Sequence, residues 1–125
     1  LDNDDWITLI QATCPFQSKT YFDQLSKKIS SGKFKSIMTR IEFKRFFVEE
    51  VLARGFSRQR TQDVEHKYLE TGLFWSFRVK NILESKSRIN HPVGFVDICH
   101  GDDADIDYKI DLEKIIDRLE SHSNI

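Results

Sequence analysis

Cationic and amide side chains are concentrated in the middle of the chain, where their types suit contact with an anionic polymer. Arg can make forked hydrogen bonds to guanine, Gln can pair with adenine, and Lys or Arg neutralises phosphate. The alternative is an ordinary solvated surface, on which such residues only keep the protein in solution. The candidate residues for binding nucleic acid or a partner are Arg58, Gln59, Arg60, Gln62, His66, Lys67, Lys80, Lys86 and Arg88.

The net charge of −1 conceals an uneven distribution along the 125 residues. Residues 31–90 contain thirteen Lys or Arg and seven Asp or Glu, a balance of +6, whereas residues 91–125 contain three and nine, a balance of −6. This separation predicts a polarised surface, so the overall pI of about 6.5 does not exclude nucleic acid as a partner. Alternatively, the two regions face each other and neutralise.

The bulk properties favour one domain inside the cell. No run approaches the roughly 20 apolar residues of a membrane span, and the acidic start lacks a signal-peptide pattern. Cys14 and Cys99 are too few and too distant for a metal or disulfide signature. We therefore expect no cofactor, no metal and no membrane association, and an intracellular location that is nuclear if the source is eukaryotic. The start without Met suggests a domain of a larger protein.

Helical spacing of apolar residues predicts that most of the chain is helix. The most definite helix covers 39–54, because Thr39 and Glu42 fit a capping box and Gly55 can end the helix. The other predicted helices are 6–13, 18–30, 57–71 and 112–121.

Alternation of apolar and polar residues predicts the strands. A strand over 74–83 and a strand over 93–98 are expected to form a hairpin around the polar loop 84–91. Shorter strands are predicted over 34–38 and 105–110.

This order of helix, tight turn, helix, strand, basic loop and strand resembles a winged helix over residues 18–99. The run Ser57–Leu73, SRQRTQDVEHKYLETGL, matches the second helix and its junction with the next strand at Gly72. The resemblance implies that helix 57–71 and the wing 84–91 contact nucleic acid or a partner protein. The expected fold class is therefore α+β and mostly helical, a winged-helix variant with extra N-terminal helices and a C-terminal helix.

The expected organisation is a single domain, 1–125. It has an N-terminal extension (1–17), the winged-helix-like core (18–99), and an acidic turn with a C-terminal helix (100–125). The expected function is that of a non-enzymatic binding module.

Three residues near the C-terminus suggest a different function. Asp97 ends a predicted strand, and Asp107 and Lys109 lie in the next one, which resembles the PD-(D/E)xK nuclease signature. There, two carboxylates hold Mg²⁺ and the lysine stabilises developing charge. A metal-dependent nuclease is therefore a further alternative, although a D-x-K triplet also arises by chance.

The aromatic residues support a third hypothesis. Adjacent pairs such as Phe46-Phe47 and Phe74-Trp75 cannot both point into a core, so some aromatic surface is expected to remain exposed. Because exposed aromatic patches mark interfaces, protein–protein interaction or homodimerisation without nucleic-acid binding is also predicted.

Overall fold

A computed structural model describes residues 1–55, 60–63 and 65–123, and its centre is a four-stranded sheet. The elements in chain order are β1 (Trp6–Ile10), α1 (Lys19–Ser30), β2 (Ser36–Phe43), α2 (Val48–Arg54), a 3₁₀ turn (Thr61–Asp63), β3 (Lys67–Arg78), α3 (Val79–Ser85), β4 (Val93–Asp97) and α4 (Lys109–Ser123).

The sheet is mixed, with the spatial order β1-β3-β2-β4. The long strand β3 pairs antiparallel with β1 on one side and with β2 on the other. The edge strand β4 runs parallel to β2, with Ser36 opposite Val93 and Arg40 opposite Asp97. The two parallel strands therefore begin at the same end of the sheet.

The core lies between α1 and one face of the sheet. Ser18 caps α1 by accepting a hydrogen bond from the amide of Thr20 at 3.3 Å. The buried side of α1 is formed by Tyr21 and Leu25, which are one helical turn apart. The ring of Phe22 stacks on Phe74 with 5.2 Å between centroids. The sheet and the segments beside it contribute the other buried members of this cluster, which are Cys14, Ile37, Leu73, Val96 and Ile98.

A bulge in β3 is organised by the buried hydroxyl of Thr39. Met38 is paired with Trp75 and Arg40 with Glu70, so residues 71–74 lie opposite Thr39 alone. The Thr39 hydroxyl oxygen accepts a hydrogen bond from the Leu73 amide at 3.1 Å and another from the Thr71 hydroxyl at 2.8 Å. Gly72 has a φ of +70°, a conformation that favours glycine. The bulge thereby changes which face successive residues of β3 point to.

The C-terminal segment is attached to α1 through Tyr21. Its hydroxyl donates to the Asp102 carboxylate at 2.7 Å and accepts the Cys99 amide at 3.0 Å. Burial, and then the hydrogen bond to Asp102, raise the pKa of Tyr21 well above its ordinary value of 10. Arg118 of α4 also binds Asp102 at 2.8 Å and lies 4.0 Å from the ring centroid of Phe16.

The prediction of a mostly helical winged-helix variant is wrong, because the chain is built around a four-stranded sheet and two of the predicted helices are partly strand. The predicted helix 39–54 is divided between β2 and α2. Ile37, Thr39 and Ile41 are all buried, and this period of two outweighs the local capping box. Within the predicted helix 57–71, β3 already begins at Lys67, while residues 56–59 and 64 lie outside the described part of the chain.

Three further predicted elements differ. Residues 6–10 form β1 rather than a helix, because their β-prone side chains pair with β3. The predicted strand 74–83 ends at Arg78 and continues as α3, and no hairpin forms because β4 pairs with β2 instead. The predicted strand 105–110 is replaced by a turn, after which α4 begins at Lys109. The helix capped by Ser18, the strand near 93–98 and the C-terminal helix are confirmed.

Replacing Thr39 by the isosteric Val should lower the free energy of unfolding by about 2 kcal/mol, because the buried Leu73 amide loses its acceptor. Urea denaturation measures this change. The control is Thr20→Val at an exposed position of α1, for which a change within about 0.5 kcal/mol is expected. Equal effects of the two substitutions would contradict the role assigned to the hydroxyl.

Replacing Tyr21 by Phe should cost about 2 kcal/mol of stability, since a hydrogen bond to a carboxylate and one from an amide are lost. Because the pKa of Tyr21 is raised in the folded state, the stability linked to it is complete below pH 10 and declines as pH rises further. Chemical denaturation at pH 7 and pH 10.5 measures both effects. The control is Tyr108→Phe, at a side chain that is 74% exposed, which should change neither the stability at pH 7 nor its decline at pH 10.5.

Candidate nucleic-acid interface

Six cationic side chains gather where β2 and β4 begin, and we call this group the basic end. They come from the last turn of α1, from the connection to β2, and from the loop between α3 and β4. Within the described residues, none of them lies within ion-pairing distance of a carboxylate. The basic end consists of Lys27, Lys28, Lys33, Lys35, Lys86 and Arg88.

Contacts between the connecting segments hold the basic end together. The Lys28 ammonium lies 5.5 Å from the centroid of the Phe34 ring. The amide of Lys35 donates to the carbonyl of Pro92 at 2.9 Å, and the Ser36 hydroxyl donates to the Asn90 carbonyl at 2.8 Å. The two loops therefore form one continuous surface rather than two separate clusters.

The acidic residues predicted to balance this charge lie at the other end of the parallel strands. Asp97 is the last residue of β4, and the acidic segment up to Asp111 follows it. Because β4 rises by about 3.3 Å per residue, roughly 13 Å separates Val93 from Asp97. Asp97 and the acidic segment therefore lie at the opposite end of β4 from the basic end, although Arg40 of the middle region pairs with Asp97. The polarised surface stays a prediction.

The sheet face turned away from α1 carries a row of apolar and aromatic side chains, which we call the open face. Strand pairing places Leu9 beside Trp75, Trp75 beside Met38, and Met38 beside Phe95. Directly paired residues point to the same side of a sheet. None of the four side chains is buried, and Leu9 is 43% exposed.

Arg40 extends the open face towards the acidic end. Its guanidinium carbon lies 3.7 Å from the Tyr68 ring centroid and 4.4 Å from that of Phe95. Its Nε donates to the Asp97 carboxylate at 2.7 Å. Tyr68 remains 46% exposed, so this layer of planar groups is accessible from solvent.

Trp75 joins the open face to the basic end. The guanidinium carbon of Arg88, which belongs to the basic end, lies 4.5 Å from the Trp75 ring centroid. The indole N–H of Trp75 donates to the Glu70 carboxylate at 2.7 Å, which fixes the orientation of the ring. A cationic surface and an aromatic surface therefore meet at one residue pair.

Several of the cations predicted to bind a partner are instead neutralised within the chain. Arg60 pairs with Asp63 at 3.0 Å and Lys80 with Asp4 at 3.1 Å. In addition, His66 is bonded to Glu42 and Lys67 to Glu50.

The remaining predicted binding residues are dispersed. Lys86 and Arg88 belong to the basic end, whereas Gln62 lines a pocket beside α2. Arg58 and Gln59 lie outside the described residues.

The residues of the nuclease hypothesis lie on different kinds of element. Asp97 is engaged by Arg40, Asp107 precedes α4, and Lys109 is the first residue of that helix, 3.8 Å from Glu113. Among the described residues, no three His, Cys, Asp or Glu side chains are grouped so that they could hold a metal ion. The nuclease hypothesis stays a prediction.

Two concave pockets lie near α2 and the ends of the β2–β3 pair. The first, of about 410 Å³, is lined by both charge signs. The second, of about 460 Å³, includes Glu50 and Lys67. Lys67, and then the Phe47 amide, hold the pKa of Glu50 below its ordinary value of 4.5. This contact attaches α2, which has no buried residue, to β3. The residues lining the first pocket are Glu42, Phe43, Lys44, Arg45 and His100.

The sequence interpretation missed the lysines of α1 and the aromatic row. Four lysines fall between Lys27 and Lys35, around Gly32, and this density was the available signal. For Trp75 the signal was its position next to Phe74, which predicted that part of this aromatic pair remains exposed. Phe95 had no such signal, because alternation in a strand does not reveal which of its faces is covered.

A comparison with models of known protein families gives no match, and neither does a comparison with curated protein sequences. In the part of the chain that the structure describes, every helix is too short or too polar to cross a membrane.

Replacing Glu50 by Gln should accelerate amide hydrogen exchange across residues 48–54 by several-fold, because α2 loses its ionic contact with Lys67. The control is Glu49→Gln in the same turn, which should leave the exchange unchanged. In the unaltered protein, the NMR titration midpoint of the Glu50 carboxyl should lie below 4.5. The contact supports the attachment of α2 above that pH and is lost as the pH falls through the midpoint. A midpoint at or above 4.5 would contradict this assignment.

Proposed function

We propose that the chain is a non-enzymatic module that binds nucleic acid through the basic end. The observation that carries this proposal is the set of six cations near the start of β2 and β4, none of which has a carboxylate partner among the described residues. Phosphate contacts by Lys and Arg supply most of the affinity of sequence-independent nucleic-acid binding. The proposal differs from the sequence interpretation in its surface, because α1 and the two loops replace helix 57–71.

The acidic segment that follows β4 also favours an oriented complex. Carboxylates at the far end of β4 repel phosphates, while the basic end attracts them. A long anionic strand would therefore be held at one end of the sheet and kept away from the other. Such a field raises the association rate at low salt and weakens as salt screens it.

Binding to a labelled strand of twelve nucleotides should weaken steeply between 50 and 200 mM salt. Six phosphate contacts give a slope of about −4 in log K against log salt for a single strand. The double substitution Lys33→Gln with Lys35→Gln should make the slope shallower by about 1. Fluorescence anisotropy measures both, with Mg²⁺ present so that any cleavage is seen.

The matched control is Lys109→Gln with Lys114→Gln, which changes the net charge equally but at the acidic end. This control should bind as tightly as the unaltered protein. If the two double variants lose affinity equally, net charge rather than the basic end governs binding. If neither a strand nor a duplex binds at low salt, the proposed function is wrong.

Homodimerisation is the second candidate function, and a specific feature of α2 favours it. Its exposed side includes Val48, Val51 and Leu52, of which Leu52 is 76% exposed. Pairing with a second copy would bury this apolar surface. A mass near twice 14.7 kDa by light scattering, without binding to nucleic acid, would favour this function over the first.

A further inference from the structure

The open face has features that the basic end alone does not explain. Trp75 and Phe95 lie on strands separated by β2, so their backbones are about 10 Å apart across the sheet. Between them, Met38 supplies an apolar floor. One base on each of the two rings gives about two stacked bases along the row.

We propose that the open face stacks the unpaired bases of a single-stranded nucleic acid whose phosphates lie along the basic end. This inference rests on the proposed function and names the form of nucleic acid that the same region binds. Aromatic side chains on an open sheet stack bases that have left a helix, whereas the bases of a duplex are already stacked on one another. The duplex therefore gains nothing from the open face.

Arg88 supplies the physical link between the two surfaces. Its guanidinium already lies over the Trp75 ring, so it is positioned to contact both a base on that ring and the adjoining phosphate. At the other side of the row, Arg40 between Tyr68 and Phe95 continues the layer of planar groups. Each of these cations adds attraction for a base without adding a requirement for one base type.

The carboxylates beside the row restrict where the backbone of the bound nucleic acid can lie. Glu70 and Asp97 lie towards the acidic end of the open face, where they repel phosphate. The backbone of a bound strand is therefore held towards the basic end, with its bases over Trp75 and Phe95. Because the Trp75 indole N–H is already bonded to Glu70, the ring offers its face rather than a hydrogen bond, and little sequence preference follows.

The test compares a twelve-nucleotide oligothymidylate with an abasic strand of the same length, which carries the same phosphates without bases. The intact strand should bind at least tenfold more tightly than the abasic strand, and Trp75→Leu should remove most of that difference. The control is Tyr108→Leu, at an exposed aromatic residue of the acidic end, which should retain the difference. Oligouridylate, run in parallel, should show the same dependence on Trp75.

A second measurement does not depend on the stability of the Trp75→Leu variant. Trp6 and Trp75 are the two tryptophans of the chain, so Trp6→Phe leaves Trp75 as the sole indole fluorophore. The intact strand should quench its emission, and the abasic strand should not.

The outcomes separate the two proposals. Equal affinity for intact and abasic strands, together with unquenched Trp75, overturns base stacking while leaving the basic end as the binding surface. A duplex that binds as tightly as the single strand and loses equal affinity on Trp75→Leu also overturns it. Failure of both strands to bind overturns the proposed function itself.

Discussion

The hydrogen bond from the Leu73 amide to the buried Thr39 hydroxyl is the constraint on which the two faces of the sheet depend. Without an acceptor at this point, four residues of β3 could not bulge opposite one residue of β2, because a buried amide would be left unpaired. The bulge lets the neighbours Leu73 and Phe74 both enter the core. It also returns Glu70 to the same face as Trp75, which is why these residues can bond across the bulge.

Parallel pairing of β2 with β4 places the first residues of both strands at the basic end and Asp97 at the other end of β4. Both strands begin at the same end of the sheet, and β4 finishes at the acidic segment, whereas β2 is followed by Lys44 and Arg45. The direction of β4 is the one that a hairpin with β3 would also have given, because β2 and β4 both run antiparallel to β3. What differs from the prediction is the strand beside which β4 lies. The hydrogen bond from the Tyr21 hydroxyl to Asp102 holds the acidic segment against the first turn of α1. The charge asymmetry and the core are therefore maintained by the same elements.

The errors of the sequence interpretation have a common physical origin. Thr39 and Glu42 match the sequence pattern of a capping box, which predicts the start of a helix. Helix propensity contributes only tenths of a kcal/mol per residue, however, and the burial of Ile37 and Ile41 in a sheet outweighs this preference. The same applies to Lys67–Thr71, whose helical pattern yields to pairing with β2. The site residues stay predictions, among which Lys86 and Arg88 were chosen from the polarity of their loop. Arg60 and Lys80, also predicted to bind, each have a carboxylate partner: Asp63 is three residues from Arg60 in the chain, whereas Asp4 lies beside Lys80 only in the folded protein.

By itself the sequence determined the uneven distribution of charge along the chain, the helix capped by Ser18, the strand near Val93 and the C-terminal helix. These follow from local composition and spacing, which a single segment contains. Only the tertiary structure decided the strand order, the bulge at Thr39, and the meeting of Arg88 with Trp75. Each of these joins residues that are distant in the chain, such as Thr39 with Leu73, or Ser36 with Asn90. Such contacts form because buried groups require partners, and the identity of the partner depends on the whole fold rather than on neighbouring residues.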